Sequence, residues 1–139
     1  MRVKNKKFIY LISPLKIEKT FYSHLEKVLS QKKIGFFQLR LKKEHLKKRL
    51  IIAKKIKKIC KKFNVKFLIN DDVYLTKKVN ADGCHLGQKD MNILDARKLI
   101  GNKIIGITCH NSIQLAKVAL KNKANYLAFG AFYLSKTKK

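Results

Sequence analysis

The pentapeptide QLRLK, residues 38–42, sets Gln38, Arg40 and Lys42 two positions apart. On an extended chain all three side chains therefore share one side. An amide, a guanidinium and an ammonium facing a core are costly unless an anion or a carboxylate meets them. A strand fraying into solvent would account for Lys42 alone, but not for Arg40 between Leu39 and Leu41. A second concentration lies in LINDDVYLTKKVNADGCHLGQKD, residues 68–90, which holds four of the five aspartates; Asp95 follows just behind. The chain has 34 Lys and Arg against eight Asp and Glu, a formal net charge of +26. Carboxylates gathered in so positive a chain either neutralise it or hold a cation. Asn70 and Asp71 stand just past an apolar run, and Asp90 follows Gly87, which lets backbone approach closely. Hard carboxylate oxygens suit Mg²⁺, which takes one or two carboxylates and fills its shell with water and phosphate oxygens. Arg40, Lys42 and Lys138 would then hold the rest of a diphosphate.

The elements that must position these groups alternate in type. Apolar, β-branched or aromatic runs occur at 7–12, 34–39, 65–69, 83–87, 103–108 and 125–132. Between them, helical spacing predicts helices over 17–32, 43–63, 72–79, 93–100 and 111–122. In the second of these, Leu46, Leu50, Ala53, Ile56, Cys60 and Phe63 share one face and six lysines the other, with Ile51 as the exception. A basic amphipathic helix can serve a membrane or a nucleic acid. The neighbouring strands, however, read as near-continuous apolar runs, which suits a parallel sheet covered by helices whose lysines are solvated. Asn111 or Ser112 can cap the last helix, and Asp72 reads as a cap or first-turn acid of the short helix 72–79. The repeated β-α order indicates an α/β protein with right-handed crossovers, either an open doubly wound sheet or part of a (β/α)8 barrel. No Gly-rich GxGxxG or GxxxxGK[ST] loop follows the first strand, which weakens the dinucleotide and P-loop options. In either parallel architecture chemistry gathers at the C-terminal strand ends, where Gln38, Asn70, Asp71, Asp90, Thr108 and the loop of Ser135, Thr137 and Lys138 fall.

The totals exclude other classes. At 139 residues the chain reads as one domain over 1–139, and 46% apolar residues are too many for a disordered chain. No apolar run approaches the roughly 20 residues that a membrane helix needs. The start, MRVKNKKFIYLISPL, is basic and then apolar, but the apolar stretch is short, contains Pro14 and lacks a small-residue cleavage site. It reads as the first strand of a cytoplasmic protein. Cys60, Cys84 and Cys109 show no CxxC spacing and read as reduced thiols. The pairs Cys84-His85 and Cys109-His110 would each offer a metal at most one ligand, because adjacent strand residues point to opposite faces. For His85 itself, orientation or core packing is the favoured reading over acid–base work. Only four of the 34 cations are Arg, and the lysines are scattered, so a nucleic-acid partner is disfavoured.

The ordered set of motifs resembles the thiamine-phosphate synthase (thiamin-phosphate pyrophosphorylase) family. QLRLK is similar to its QxRxK motif, NDD to its ND pair, and ADGCHLGQKD to its aDGvHLGQ-x-D signature. IIGITCH is similar to its iGxS-x-H strand, and GAFYLSKTK to its GpvfpTxTK loop. The resemblance implies a (β/α)8 barrel that joins 4-amino-5-hydroxymethyl-2-methylpyrimidine diphosphate to a thiazole phosphate, releasing pyrophosphate. It also implies roles. Gln38, Leu39, Arg40, Leu41, Lys42, Asn70, Thr108 and Lys138 would bind the pyrimidine diphosphate. Asp71 and Asp90 would ligate Mg²⁺, and Ser135, Lys136 and Thr137 would line the thiazole-phosphate site. Arg40, Lys42 and Lys138, with the metal, would serve catalysis by stabilising charge on the leaving pyrophosphate.

Three departures from the family pattern stand out. Thr108 replaces the usual Ser and Ser135 the usual Thr, a hydroxyl for a hydroxyl in each case. The sequence also ends at Lys139, where six β/α units have been counted and two more are expected of a closed barrel. An incomplete barrel would leave its first and sixth strands as open apolar edges, prone to self-association or completion by another chain. The alternative readings are a truncated, non-synthesising paralogue of the family, aminase-type or inactive, and a lysine-rich nucleic-acid binder.

Overall fold

The computed structural model describes residues 7–31, 33–41 and 43–134. Strands and helices alternate in the order β1 (Ile9–Ile12), α1 (Phe21–Leu29), β2 (Ile34–Leu39), α2 (Leu46–Lys62), β3 (Lys66–Asn70), α3 (Val73–Val79), β4 (Gly83–Leu86), α4 (Ile93–Ile100), β5 (Ile104–His110), α5 (Ile113–Lys121) and β6 (Tyr126–Phe129). Contacts group the chain into two compact units, Met1–Leu68 and Ile69–Lys139, dividing within β3. No described helix is long and apolar enough to cross a membrane.

In the first unit β1 runs parallel to β2, with Leu11 opposite Phe37 and Ile12 opposite Gln38. Leu25 and Leu29 of α1, Phe37 and Leu39 of β2, and Phe67 and Leu68 of β3 are all buried. Burying a side chain of this size contributes about 1.5–3 kcal/mol. Helix α1 begins at Phe21, later than the expected 17, and α2 begins at Leu46, after the expected 43. The buried stripe of α2 is Ile52, Ala53, Ile56, Ile59 and Cys60, whereas Leu46 is 51% exposed. The apolar residues of this helix fit two overlapping faces, and packing selects the one that includes Ile52 and Ile59. On the first strand Ile9 and Ile12 are exposed, as is Phe8 just before it.

In the second unit β4, β5 and β6 are parallel neighbours. Alternation along these strands separates two faces. Cys84, Leu86, Ile105, Ile107 and Cys109 enter a core with Val73 of α3, Ile93, Ala96 and Ile100 of α4, and Ala116 and Ala119 of α5. His85, Gly106, Thr108 and Tyr126 occupy the alternate positions. The helices start on side-chain caps. Asp72 accepts from Leu75 N at 2.8 Å, Asn92 from Asp95 N at 2.9 Å and Ser112 from Leu115 N at 3.2 Å. Each such cap contributes about 1 kcal/mol. Strand β5 continues past the expected Thr108 to His110, with a register shift between the two, and β6 stops at Phe129.

The N-terminal ends of these strands are bound by cations. Arg97 on α4 donates to Gly101 O at 2.8 Å, to Lys103 O, to Lys123 O at 2.9 Å and to Asn125 Oδ1 at 2.6 Å. Asn125 Oδ1 also accepts from Ile105 N at 2.8 Å. Lys103 Nζ reaches Asn80 Oδ1 and Ala81 O, both at 2.7 Å. These bonds fix where β5 and β6 begin, and therefore what their far ends present.

Candidate active site

The C-terminal end of β2 is tied to the end of β1 by Ser13. Ser13 N donates to Gln38 O at 2.9 Å, and Ser13 Oγ accepts from Arg40 N at 2.9 Å. Gln38 is 3% exposed, and its Nε2 donates to Tyr10 Oη at 2.9 Å, so the amide has a fixed orientation. Arg40 and Leu41 are half-buried. Leu39 is buried in the core, which leaves its backbone as the part that could meet a ligand. Lys42, Ser135, Lys136, Thr137 and Lys138 lie outside the described residues.

In the second unit the ends of β3, β4 and β5 carry the other candidates. Asn70 closes β3 and is half-buried; Asp71 is exposed, with φ of 63°. Left-handed backbone is tolerated by Asp better than by most residues. Its N–H donates to His85 O at 2.8 Å, which anchors the turn that presents the carboxylate. The neighbouring Asp72 is spent on capping α3. Beyond β4, Gly87 N donates to Asp90 Oδ2 at 2.7 Å and Asp90 N donates back to Gly87 O at 3.3 Å. A Cβ at residue 87 would lie 3.0 Å from Asp90 Oδ2, so glycine permits this close turn.

Thr108 is held twice. Its carbonyl accepts from Gln88 Nε2 at 2.7 Å, and its Oγ1 lies 2.8 Å from His85 Nε2. His85 Nδ1 lies in turn 2.8 Å from Tyr126 Oη, and the two rings stack with centroids 5.6 Å apart. His85, Thr108 and Tyr126 are all half-buried. Gln88 stands inside a motif read from the sequence without a role of its own, and Tyr126 was not among the expected residues. The signal that points to Tyr126 is the register: Gly106 faces it across β5 and β6, leaving room for an aromatic ring.

The cysteines take no part. All three are free and buried. Burial pushes the Cys84 thiol up to about 12 and raises that of Cys109, so neither is a ready thiolate nucleophile. Cys84 enters the core while His85 points away, and Cys109 is buried while His110 is exposed, as opposite strand faces require. No group of three or more His, Cys, Asp or Glu side chains suited to a metal occurs among the described residues. A site of two carboxylates completed by phosphate and water oxygens needs no such group. Asp90, with Oδ2 fixed by a backbone N–H, and the exposed Asp71 are of the side-chain type that such a donor set uses.

Residues 9–139 match the family profile described as thiamine monophosphate synthase. The thiamine-phosphate synthase of Pelagibacter ubique is 69% identical over 135 residues, which span 96% of this chain and 65% of that protein. The thiamine-phosphate synthase of Saccharophagus degradans is 41% identical over 137 residues, 96% of this chain and 63% of its own. Among solved structures, thiamine phosphate pyrophosphorylase from Pyrococcus furiosus superposes with a TM-score of 0.81 at 29% identity, covering 93% of this chain and 62% of that one. That structure has a TIM-barrel-like fold, so the α/β, (β/α)-barrel class expected from sequence is the class of this chain. The chain spans less than two thirds of the length of each of these relatives.

Proposed function

Because the chain belongs to the thiamine monophosphate synthase family, we propose that it is a transferase of thiamine biosynthesis, joining 4-amino-5-hydroxymethyl-2-methylpyrimidine diphosphate to a thiazole phosphate with release of pyrophosphate. The observation that carries the reading is the 69% identity to a thiamine-phosphate synthase across nearly the whole chain. Gln38, its amide oriented by Tyr10, and Asn70 would hold the pyrimidine diphosphate together with the backbone of Leu39 and Leu41. Arg40, Lys42 and Lys138 would meet the charge that grows on the leaving pyrophosphate. The Thr108 hydroxyl would donate a further hydrogen bond, and Ser135, Lys136 and Thr137 would receive the thiazole phosphate. Asp71 and Asp90 are the residues that would hold Mg²⁺, which when bound supplies charge neutralisation to the diphosphate. The protein's own contribution is placement and electrostatics: no nucleophilic side chain is required, since the thiazole nitrogen captures the pyrimidine methylene as the diphosphate departs. The buried free thiols accord with a reducing, cytoplasmic setting.

The test is calorimetric titration of the pyrimidine diphosphate into the 139-residue chain, with and without Mg²⁺, followed by assay for thiamine phosphate. Mg²⁺-dependent binding that Asp90→Ala weakens at least tenfold is expected. A folded chain that binds the diphosphate equally well without Mg²⁺, or not at all, would sink the reading.

A further inference from the structure

Resting on this reading of Thr108 as a diphosphate-binding hydroxyl, we propose that His85 and Tyr126 are positioning residues that fix which way the Thr108 hydroxyl proton points. The three groups form one line, Tyr126 Oη to His85 Nδ1 and His85 Nε2 to Thr108 Oγ1, with both separations 2.8 Å. A neutral imidazole has one donor and one acceptor nitrogen, so the two ends of this line are coupled. If Nδ1 carries the proton, it donates to Tyr126, and Thr108 must spend its own proton on Nε2. Its oxygen is then left with lone pairs alone to offer an anion, which repels them. If Tyr126 donates to Nδ1, then Nε2–H donates to Thr108 Oγ1, and the threonine proton is free for a diphosphate oxygen. Only the second arrangement suits an anionic ligand, and a phenol hydroxyl is a ready donor to imidazole.

The surroundings hold the line in place. The His85 ring is stacked on Tyr126, and its own carbonyl accepts from Asp71 N. The Thr108 carbonyl is fixed by Gln88, so only the hydroxyl rotor of Thr108 is left to set. His85 thus reaches two candidate site residues, Asp71 through its backbone and Thr108 through its ring. All of these residues belong to the second unit.

The tautomer can be read directly by ¹⁵N NMR of His85 in the intact chain at pH 8, with His85→Gln to assign the resonance among the four histidines. The expected state has the proton on Nε2 and none on Nδ1; Tyr126→Phe, which keeps the stacked ring, should give a mixture of tautomers. Calorimetry with the pyrimidine diphosphate should show Thr108→Val weakening binding about five- to tenfold and Tyr126→Phe about twofold or more, as expected when about half or more of the chains hold the wrong tautomer, with no loss in the double variant beyond that of Thr108→Val. A proton on Nδ1 in the unsubstituted chain, in either charge state, overturns the proposal. So does full affinity in Tyr126→Phe when Thr108→Val is weakened, a result that leaves the proposed function standing. A chain that binds no diphosphate counts against the function, and the tautomer then decides the inference alone.

Discussion

Gly106→Ala is the substitution that reaches furthest into this arrangement while adding one methyl group. A Cβ built at Gly106 falls 1.9 Å from Tyr126 Cζ and 2.3 Å from both Cε1 and Oη. Those separations are far inside van der Waals contact, so something must move. The obstacle is the outer end of a side chain, and the tyrosine ring can swing away without breaking the β5 and β6 ladder. Doing so would cost the hydrogen bond to His85, about 1 kcal/mol, in addition to overpacking of about 1–2 kcal/mol. The expected total is a destabilisation of about 2–3 kcal/mol. With a urea slope of about 1.5 kcal/mol per molar, the unfolding midpoint should fall by about 1.3–2 M. Because the cost arises from one pair, Tyr126→Ala in the Gly106→Ala background should restore part of it, giving a coupling of about 1–2 kcal/mol. Strict additivity of the two substitutions, or a Gly106→Ala midpoint within 0.3 M (about 0.5 kcal/mol) of the unsubstituted chain, would refute the claim that Gly106 exists to seat Tyr126.

Gly83→Ala should be worse, by about 3 kcal/mol or more in the same urea assay, because its Cβ would meet the Ile104 carbonyl oxygen at 1.9 Å and backbone cannot swing aside. Arg97→Met, which keeps the aliphatic stem and removes the donors to Gly101, Lys103, Lys123 and Asn125, should lower stability by about 2–4 kcal/mol in thermal or urea unfolding. The thiol of Cys84, raised by burial from the ordinary 9.0 to about 12, is neutral in the native chain. Its contribution to stability is complete below pH 9 and is lost as pH rises toward 12, since the unfolded thiol ionises first. A disulfide reagent at pH 8 should therefore find no fast-reacting cysteine in the folded chain and three after unfolding.

What could be read from the sequence was whatever depended on period and on chain direction. The alternation of strands and helices followed from apolar runs separated by 3.6-residue spacing. Type and place marked Asp72 as a cap or first-turn acid and left Asn111 or Ser112 for the last helix, and the structure makes Asp72 and Ser112 the caps. The stripe of α2 was legible in part: Ala53, Ile56 and Cys60 are buried as expected, but Ile52 and Ile59 join them where Leu46 does not. The isoleucines permit two overlapping faces, and only packing chooses between them. The end of β5 was missed because a register shift carries pairing past Thr108 to His110, and pairing with another strand leaves no mark in a local run of sequence. Residue pairs separated along the chain were harder still. Tyr126 meets His85 across 41 positions, and Gln88 meets Thr108 across 20, so neither contact has a signature in a window of sequence.

Arginine shows why strand polarity is needed to turn residue type into function. Arg40, between Leu39 and Leu41, and Arg97, between Ala96 and Lys98, are each the kind of cation that an anion site requires. Arg97 lies at the N-terminal side of β5 and β6, where its guanidinium is consumed by three carbonyls and an amide oxygen. It behaves as a brace, and a phosphate would have to displace bonds already made. Arg40 follows the C-terminal end of β2, and Ser13 takes up only its backbone N–H. In parallel α/β folds ligands meet the C-terminal strand ends, while the opposite ends serve stability. Lysine substitution separates the two roles. Arg97→Lys keeps the charge but cannot reach four acceptors, so it should destabilise the chain without altering diphosphate affinity per folded molecule. Arg40→Lys should leave unfolding unchanged and weaken the diphosphate, because a point charge replaces a bidentate fork. Equal unfolding effects from the two substitutions would show that strand polarity does not divide their work.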